Sequence, residues 1–160
     1  MDALQLLKSD HDTVRGLFEQ FKQAKEAGDT ERMGTVQRAI FRELEVHTSI
    51  EEEVFYPEAE AVGEEAEELV KEGQEEHHVV EVLMKEVSGL KPGDGTFAAK
   101  MTVLIENVEH HAEEEESELF PKLREAFGRE RLRRMGTALR EAKERHESGA
   151  AGAAGERSRD

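Results

Sequence analysis

Two short segments of the chain repeat the same pattern of potential metal ligands. Residues 47–57 read HTSIEEEVFYP, and residues 111–121 read HAEEEESELFP. In each segment a His is followed by a Glu four residues later and by a Pro ten residues later. A spacing of four places both side chains on one face of a helix, one turn apart. An imidazole and a carboxylate placed in this way can reach the same pocket.

A second repeated pattern lies in the segments that precede these two. Asp10-His11 and Glu76-His77 are each followed by three apolar residues at identical offsets. The order of the patterns along the chain is therefore the same in its first and second halves. This repetition predicts two helical hairpins of similar design, packed face to face.

Two of the histidines have a histidine neighbour, and helix geometry separates the members of each pair. Adjacent residues of a helix point about 100° apart, so only one of each pair can face the core. His77 and His111 share their helix faces with apolar residues, whereas His78 and His110 share theirs with polar ones. We therefore expect His77 and His111 to point inward and the other two to face water.

Apolar residues recur at spacings of three and four nearly throughout, which is typical of amphipathic helices. The first predicted helix ends at Gly28, and the following ones span about 30–60, 64–90, 96–127 and 129–146. Four long helices with short connections predict an all-α, up-down-up-down antiparallel four-helix bundle with a short fifth C-terminal helix. Pro57 and Pro121 are expected to kink or end the regular helix. The predicted domain is 1–146, and the small, polar segment 147–160 is expected to be a flexible tail.

Composition excludes several classes of protein. The chain has 22 basic and 38 acidic residues and a net charge of −16, which disfavours binding to nucleic acid. It has no Cys, which excludes thiolate metal sites. It also lacks an apolar run of transmembrane length and a secretory signal, so we expect no membrane association and a cytoplasmic protein.

The inward-facing His and Glu residues predict a metal site. Imidazole nitrogens and carboxylate oxygens suit Fe, Mn and Zn, and six side chains are too many for one tetrahedral zinc ion. A dinuclear site in the bundle core is the simplest interpretation, and a metal-free network of salt bridges and hydrogen bonds is the alternative. The candidate ligands are His11, His47, Glu51, His77, His111 and Glu115.

These motifs, taken in order, resemble the hemerythrin-like HHE cation-binding domain of the bacterial hemerythrin family. The resemblance covers roughly residues 2–146 and rests on Asp-His-x-x-Val, His-x-x-x-Glu-Glu ending in Tyr-Pro, Glu-His-His-x-Val, and His-x-x-x-Glu-Glu ending in Leu-Phe-Pro. It implies a non-haem di-iron centre with two Fe ions, for which Zn or Mn are substitutes. Glu51 and Glu115 would be bridging carboxylates, and the four histidines would be terminal ligands.

The chain departs from the oxygen-carrying members of that family at one position. Their fifth His lies one turn before the third-helix ligand, where this chain has Gly73. Glu52 and Glu81 are candidates to complete the ligand set. A more open site predicts a protein that binds, senses or scavenges O₂, NO or H₂O₂, with a link to oxidative stress, rather than a stable oxygen carrier. The alternatives are a di-iron oxidase or catalase-like enzyme and a non-redox metal-storage or structural metal-binding module.

Other polar residues are expected to have no role in the site. Tyr56 is interpreted as packing in the core with a solvated hydroxyl, in preference to hydrogen bonding at the metal site. The run Glu113–Glu116 is expected to be solvated apart from Glu115, and His146 to be idle. The last helix is expected to pack Leu132, Met135 and Leu139 on the bundle and to expose its arginines.

Overall fold

The chain folds into a helical bundle. The computed structural model describes the backbone of residues 1–157 and the side chains of residues 1–149. Within these residues there is no strand. The helices are α1 Ala3–Glu26, α2 Thr30–Ile50, α3 Tyr56–Glu60, α4 Glu64–Ser88, α5 Gly95–Glu114, α6 Phe120–Ala126 and α7 Arg129–Arg157, with two π-helices, π1 Glu51–Phe55 and π2 Glu115–Leu119.

The helices pack as two hairpins with an additional helix against the first. In the first hairpin α1 lies against α2, in the second α4 lies against α5, and α1 also contacts α5. The last helix, α7, packs on α1 and α2. The predicted all-α bundle with a C-terminal helix is confirmed. None of the helices in the described residues is both long and apolar enough to cross a membrane.

Local sequence features cap the two helices of the first hairpin and form the turn between them. The Asp2 carboxylate accepts a hydrogen bond from the Gln5 backbone N–H, and the Gln5 side chain accepts one from the Asp2 N–H, which caps the start of α1. After α1 the chain turns at Gly28, whose φ of 65° favours glycine. Asp29 then caps α2 by accepting from the Arg32 N–H.

Each of the two matched segments contains a π-helix between its Glu ligand candidate and its proline. The Tyr56 N–H bonds to the Glu51 carbonyl, and the Phe120 N–H bonds to the Glu115 carbonyl, five residues back in both cases. The regular α-helix therefore ends before the prolines, and it resumes through them with the proline at the second position of α3 and α6. The helices are interrupted as expected but not terminated. Single π-turns of this kind occur frequently at functional sites.

Two apolar clusters fill the two ends of the bundle. The first joins the start of α1 to α3, α6 and α7, and the second joins the end of α1 to α2, α4 and α5. On α1, for example, Leu7 belongs to the first cluster and Val14 to the second, with His11 between them. His47, His77 and His111 also lie between the two clusters on their own helices. The candidate ligands therefore form a polar layer across the middle of the core.

The C-terminal helix α7 closes the first apolar cluster. It contributes Leu132, Met135 and Leu139, all buried, as the sequence predicted. Its described bounds reach Arg157, beyond the predicted end at 146. The flexible tail at 147–160 stays a prediction, and residues 158–160 lie outside the described part of the chain.

Replacing Gly136 in α7 with Ala is expected to loosen α7 from the bundle. A Cβ at Gly136 would lie 2.6 Å from the Met1 carbonyl oxygen and 2.9 Å from the Asp2 carbonyl carbon, so the backbone must shift. We expect the free energy of unfolding, measured with urea, to fall by about 1–3 kcal/mol. The matched control is Gly16→Ala in α1, where a Cβ meets nothing within 4 Å and where the substitution should add about 0.5–1 kcal/mol. Equal effects of the two substitutions would contradict the close approach of α7 to α1.

Candidate metal centre

The six predicted ligands meet in the polar layer as two groups of three. Group A consists of His11, His47 and Glu115, and group B consists of Glu51, His77 and His111. Within each group, one potential ligand atom from every residue lies within 4.8 Å of the others. All six side chains are buried. Each group combines two histidines of one hairpin with the glutamate of the other hairpin, whereas the sequence suggested two histidines and one glutamate per half.

Both glutamates extend across the two groups. Glu115 places Oε1 3.2 Å from His11 Nε2 and Oε2 3.4 Å from His111 Nε2. Glu51 Oε1 lies 2.9 Å from His47 Nε2 and 3.3 Å from His77 Nε2. Each carboxylate therefore reaches histidines of both hairpins.

Several atoms at the centre of the layer are buried without a hydrogen-bond partner in the described part of the chain. They are His11 Nε2, His47 Nε2, both carboxylate oxygens of Glu51, and Glu115 Oε1. Buried polar atoms without partners are costly and rare. Nitrogen and oxygen atoms of this kind are ligands for Fe, Mn or Zn, so the residues present fit a metal centre.

Every histidine of groups A and B also faces a second carboxylate, which we call its outer carboxylate, with its other ring nitrogen. When Nδ1–H donates to a carboxylate, the Nε2 lone pair faces the centre and its basicity increases. This arrangement fixes the orientation of each ring. The Nδ1 to carboxylate oxygen distances are 2.8 Å for His11 and Glu116, 3.0 Å for His47 and Asp10, 3.1 Å for His77 and Glu52, and 3.4 Å for His111 and Glu76.

The outer carboxylates were signalled in the sequence, but their role was missed. Glu52 and Glu116 are the second Glu of each His-x-x-x-Glu-Glu motif, and Asp10 and Glu76 precede a ligand His. The prediction that Glu116 is solvated is wrong, because it is half-buried against His11.

The hydroxyl group of Tyr56 lies inside the centre, next to group B. It donates a hydrogen bond to Glu115 Oε2 at 3.0 Å, and it lies 3.2 Å from Nε2 of both His77 and His111. Tyr56 is 1 % exposed, so the expectation of a solvated hydroxyl is wrong. Burial raises its pKa well above the ordinary value, and the negative charges of Glu115 and Glu51 raise it further. The phenol is therefore a hydrogen-bond donor in the metal-free protein.

Tyr56 occupies the space that opens at Gly73. A Cβ at Gly73 would lie 2.8 Å from Tyr56 Oη and 3.2 Å from His111 Cε1. Of the two residues proposed from the sequence to complete the ligand set, Glu52 contacts Nδ1 of His77, and Glu81 is exposed and belongs to neither group. The residue that faces Gly73 is therefore a tyrosine from the other hairpin.

The remaining histidines lie outside the polar layer. His78 and His110 are exposed, as predicted from their helix faces. His110 lies near Glu114, with its Nε2 3.4 Å from a carboxylate oxygen. His146 lies on the surface, with its Nε2 2.9 Å from a carboxylate oxygen of Glu53, and its lack of a functional role stays a prediction.

The charges of the metal-free centre are strongly coupled. Burial disfavours the imidazolium of His47, but the charge of Glu51 and the hydrogen bond to Asp10 outweigh burial and raise its pKa to about 10. Burial likewise disfavours the Glu51 carboxylate, but the His47 charge together with hydrogen bonds with Glu115, His111 and His47 outweighs burial and holds the Glu51 pKa well below its usual range. Burial also disfavours the imidazolium of His111, but the charge of Glu115 and the hydrogen bonds of the imidazole raise its pKa well above the ordinary value. Without metal, protons on His47 and His111 therefore compensate the buried carboxylates.

A helical bundle whose core holds two groups of two His and one Glu defines a metal-binding bundle protein. The family model for the hemerythrin HHE cation binding domain matches residues 2–123. The chain therefore belongs to this family.

Three relatives illustrate the similarity. The chain is 27 % identical over 130 residues to an uncharacterized hemerythrin-like protein of Schizosaccharomyces pombe, a match that covers 81 % of this chain and 64 % of that protein. It is 25 % identical over 143 residues to a protein of a Nostoc species named DNA nickase, covering 89 % of this chain but only 39 % of that protein. The crystal structure of a hemerythrin HHE cation binding domain-containing protein from Mycobacterium kansasii has the same fold. The TM-score is 0.81 at 22 % identity, covering 94 % of this chain and 90 % of that one.

The stability of the metal-free protein is expected to fall as the pH rises above neutrality. Folding raises the pKa of His47 from 6.5 to about 10. The resulting stabilisation is fully present below pH 6.5 and is lost as the pH approaches about 10. Urea unfolding of the metal-free protein across this range should show a falling midpoint. The decrease should be smaller in His47→Gln and unchanged in the exposed control His78→Gln. A midpoint independent of pH in the unsubstituted protein would contradict the charged pair.

Replacing Gly73 with Ala is expected to destabilise the protein, although Ala favours helix more than Gly does. The new methyl group would press on Tyr56 Oη and His111, and overpacking of this kind costs about 1–3 kcal/mol. Thermal or urea unfolding should show that Tyr56→Phe, which removes the nearest atom, recovers part of this loss in the double variant. If the two substitutions are simply additive, Tyr56 does not occupy the space at Gly73.

Proposed function

We propose that this protein is a non-haem di-iron protein that binds, senses or scavenges a small ligand such as O₂, NO or H₂O₂. The observation that carries the proposal is the pair of buried groups, each with two His and one Glu, together with the contacts of Glu51 and Glu115 to histidines of both groups. Two histidines and a carboxylate form the ligand set of open non-haem iron sites. When bound, two iron ions would supply one-electron redox chemistry and coordination positions for a small molecule.

A cavity beside the ligands supports a small and uncharged ligand. Its volume is about 30 Å³, and its lining includes ligand histidines of both groups. The volume exceeds the ~10–15 Å³ that one water-sized molecule needs, and it is too small for a larger organic substrate. Asp10, Arg15, Glu76 and Glu109 also line the cavity, but most of the surface that faces it is apolar. An apolar surface makes desolvation of an ion costly, so neutral diatomic molecules and peroxide are favoured. The apolar lining residues are Val14, Phe18, Leu44, Val80, Val108 and Ala112.

The chain's own residues would hold and orient such a ligand. Four histidines with fixed rings present their Nε2 atoms to the centre, and Tyr56 offers the hydrogen-bond donor nearest to group B. The net charge of −16 disfavours a phosphate backbone as partner. The activity on DNA that the name of the Nostoc relative states is therefore disfavoured for this chain, which spans 39 % of that protein.

An anaerobic Fe(II) titration of the metal-free protein tests the number of metal positions. We expect two equivalents per chain, because the core has two groups of three ligands. His47→Ala in group A and His111→Ala in group B should each reduce the amount bound. His78→Ala, one residue from a ligand on the same helix but exposed, should bind as the unsubstituted protein does. One equivalent or none would contradict a dinuclear centre.

Exposure of the iron-loaded protein to air, NO and peroxide tests the ligand. Near-ultraviolet ligand-to-metal bands that appear on oxidation would support redox-active iron, whereas a spectrum without features in air would contradict it. Sustained peroxide turnover that is lost in Glu51→Ala would instead indicate a catalase-like enzyme. Tight zinc binding that iron cannot displace would indicate a structural metal site.

A further inference from the structure

The two outer carboxylates of group A are each paired with a cation. Glu116, which contacts His11, has its Oε2 2.8 Å from an Arg15 guanidinium nitrogen, and Lys8 Nζ lies farther away, 3.8 Å from its Oε1. Asp10, which contacts His47 through Oδ2, has its Oδ1 2.6 Å from Lys143 Nζ. The negative charge behind both group A histidines is therefore compensated by a permanent positive charge.

The two outer carboxylates of group B have no such partner. Glu52 contacts His77 and Glu76 contacts His111, and among the residues with described side chains neither forms an ion pair with Lys or Arg. Glu76 instead lies beside a further acid, Glu114, and the exposed His110, with ligand atoms of all three within 4.8 Å of one another. The surroundings of group B are therefore more negative than those of group A.

This difference acts on a bound cation through two physical routes. A divalent ion is attracted more strongly to the position with the larger uncompensated negative charge, and low-dielectric surroundings amplify the difference. A carboxylate on Nδ1 also makes the imidazole a stronger donor, and a cation on that carboxylate reduces the effect. Both routes favour metal at group B.

We propose that Arg15 and Lys143 make the two metal positions unequal, so that group B binds its metal first and group A holds the second, exchangeable metal. This inference rests on the proposed function. It gives α7 a role in the centre, because Lys143 belongs to α7. This helix lies outside the segment 2–123 that matches the family. Arg15 and Lys143 act through Glu116 and Asp10 and are positioning residues.

The order of binding is tested by stepwise anaerobic titration of the metal-free protein with Fe(II) in a calorimeter. Hydrogen-bond partners of the ligands, such as the outer carboxylates, change metal affinity by about 10–100-fold. We therefore expect two binding steps whose dissociation constants differ by about tenfold or more. His77→Ala should remove the first step and His11→Ala the second. Glu76→Gln should weaken the first step and leave the second unchanged. Two steps of equal affinity would overturn the inference while leaving the dinuclear centre intact, and fewer than two equivalents would overturn the proposed function itself.

Removal of each cation separates charge compensation from a purely structural role. Lys143→Met and Arg15→Met should each raise the affinity of the second binding step severalfold and leave that of the first unchanged. Lys143→Arg keeps the positive charge, so the difference in affinity between the two steps should be that of the unsubstituted protein. The matched control is Lys122→Met, because Lys122 Nζ also lies 2.6 Å from a carboxylate, but its partner Glu65 is exposed on the surface. A second step weakened by both Lys143→Met and Arg15→Met would mean that the cations only hold the carboxylates in place, which would overturn the inference.

Discussion

The burial of two carboxylates in the middle of a helical core is the constraint on which the rest of this structure depends. Glu51 is 0 % exposed and Glu115 is 4 % exposed, and an unpaired buried carboxylate costs several kcal/mol. Positive charge must therefore be present at the centre, either as protons on the histidines or as metal. The raised pKa of His47 shows the first solution, and the unpartnered Nε2 and carboxylate atoms show the geometry of the second.

The bundle accommodates this polar layer by placing an apolar cluster on each side of it. Cooperative packing at both ends holds the helices in register, so the ligand atoms can converge without supplying the stability of the fold. The π-helices that begin at Glu51 and Glu115 serve the same arrangement. Each inserts a wider turn directly after a buried carboxylate, and the following residues, Glu52 and Glu116, then reach ligand histidines of the other hairpin.

The repeated hairpins give the centre an approximate two-fold symmetry, and a few residues break it. Asp10 with His47 corresponds to Glu76 with His111, and both pairs join the two helices of one hairpin. The symmetry is broken in two places. Tyr56 faces Gly73 next to group B, while the corresponding residue of the second half is a phenylalanine without a hydroxyl group. Cations stand behind the outer carboxylates of group A only, within the described side chains, so one fold positions two similar ligand sets in unlike surroundings.

The sequence by itself determined the helices, the inward histidines and the resemblance to the family, because helical periodicity and ligand spacing are local properties of the chain. Segments such as 30–60 and 64–90 agree with the structure to within a few residues, and His77 is buried where His78 is not. Only the tertiary structure decided which glutamate joins which histidines, that Tyr56 enters the centre, and that Lys143 stands behind Asp10. These contacts join residues from separate helices. Their geometry depends on helix rotation and on the π-turns, which residue spacing along one helix does not specify.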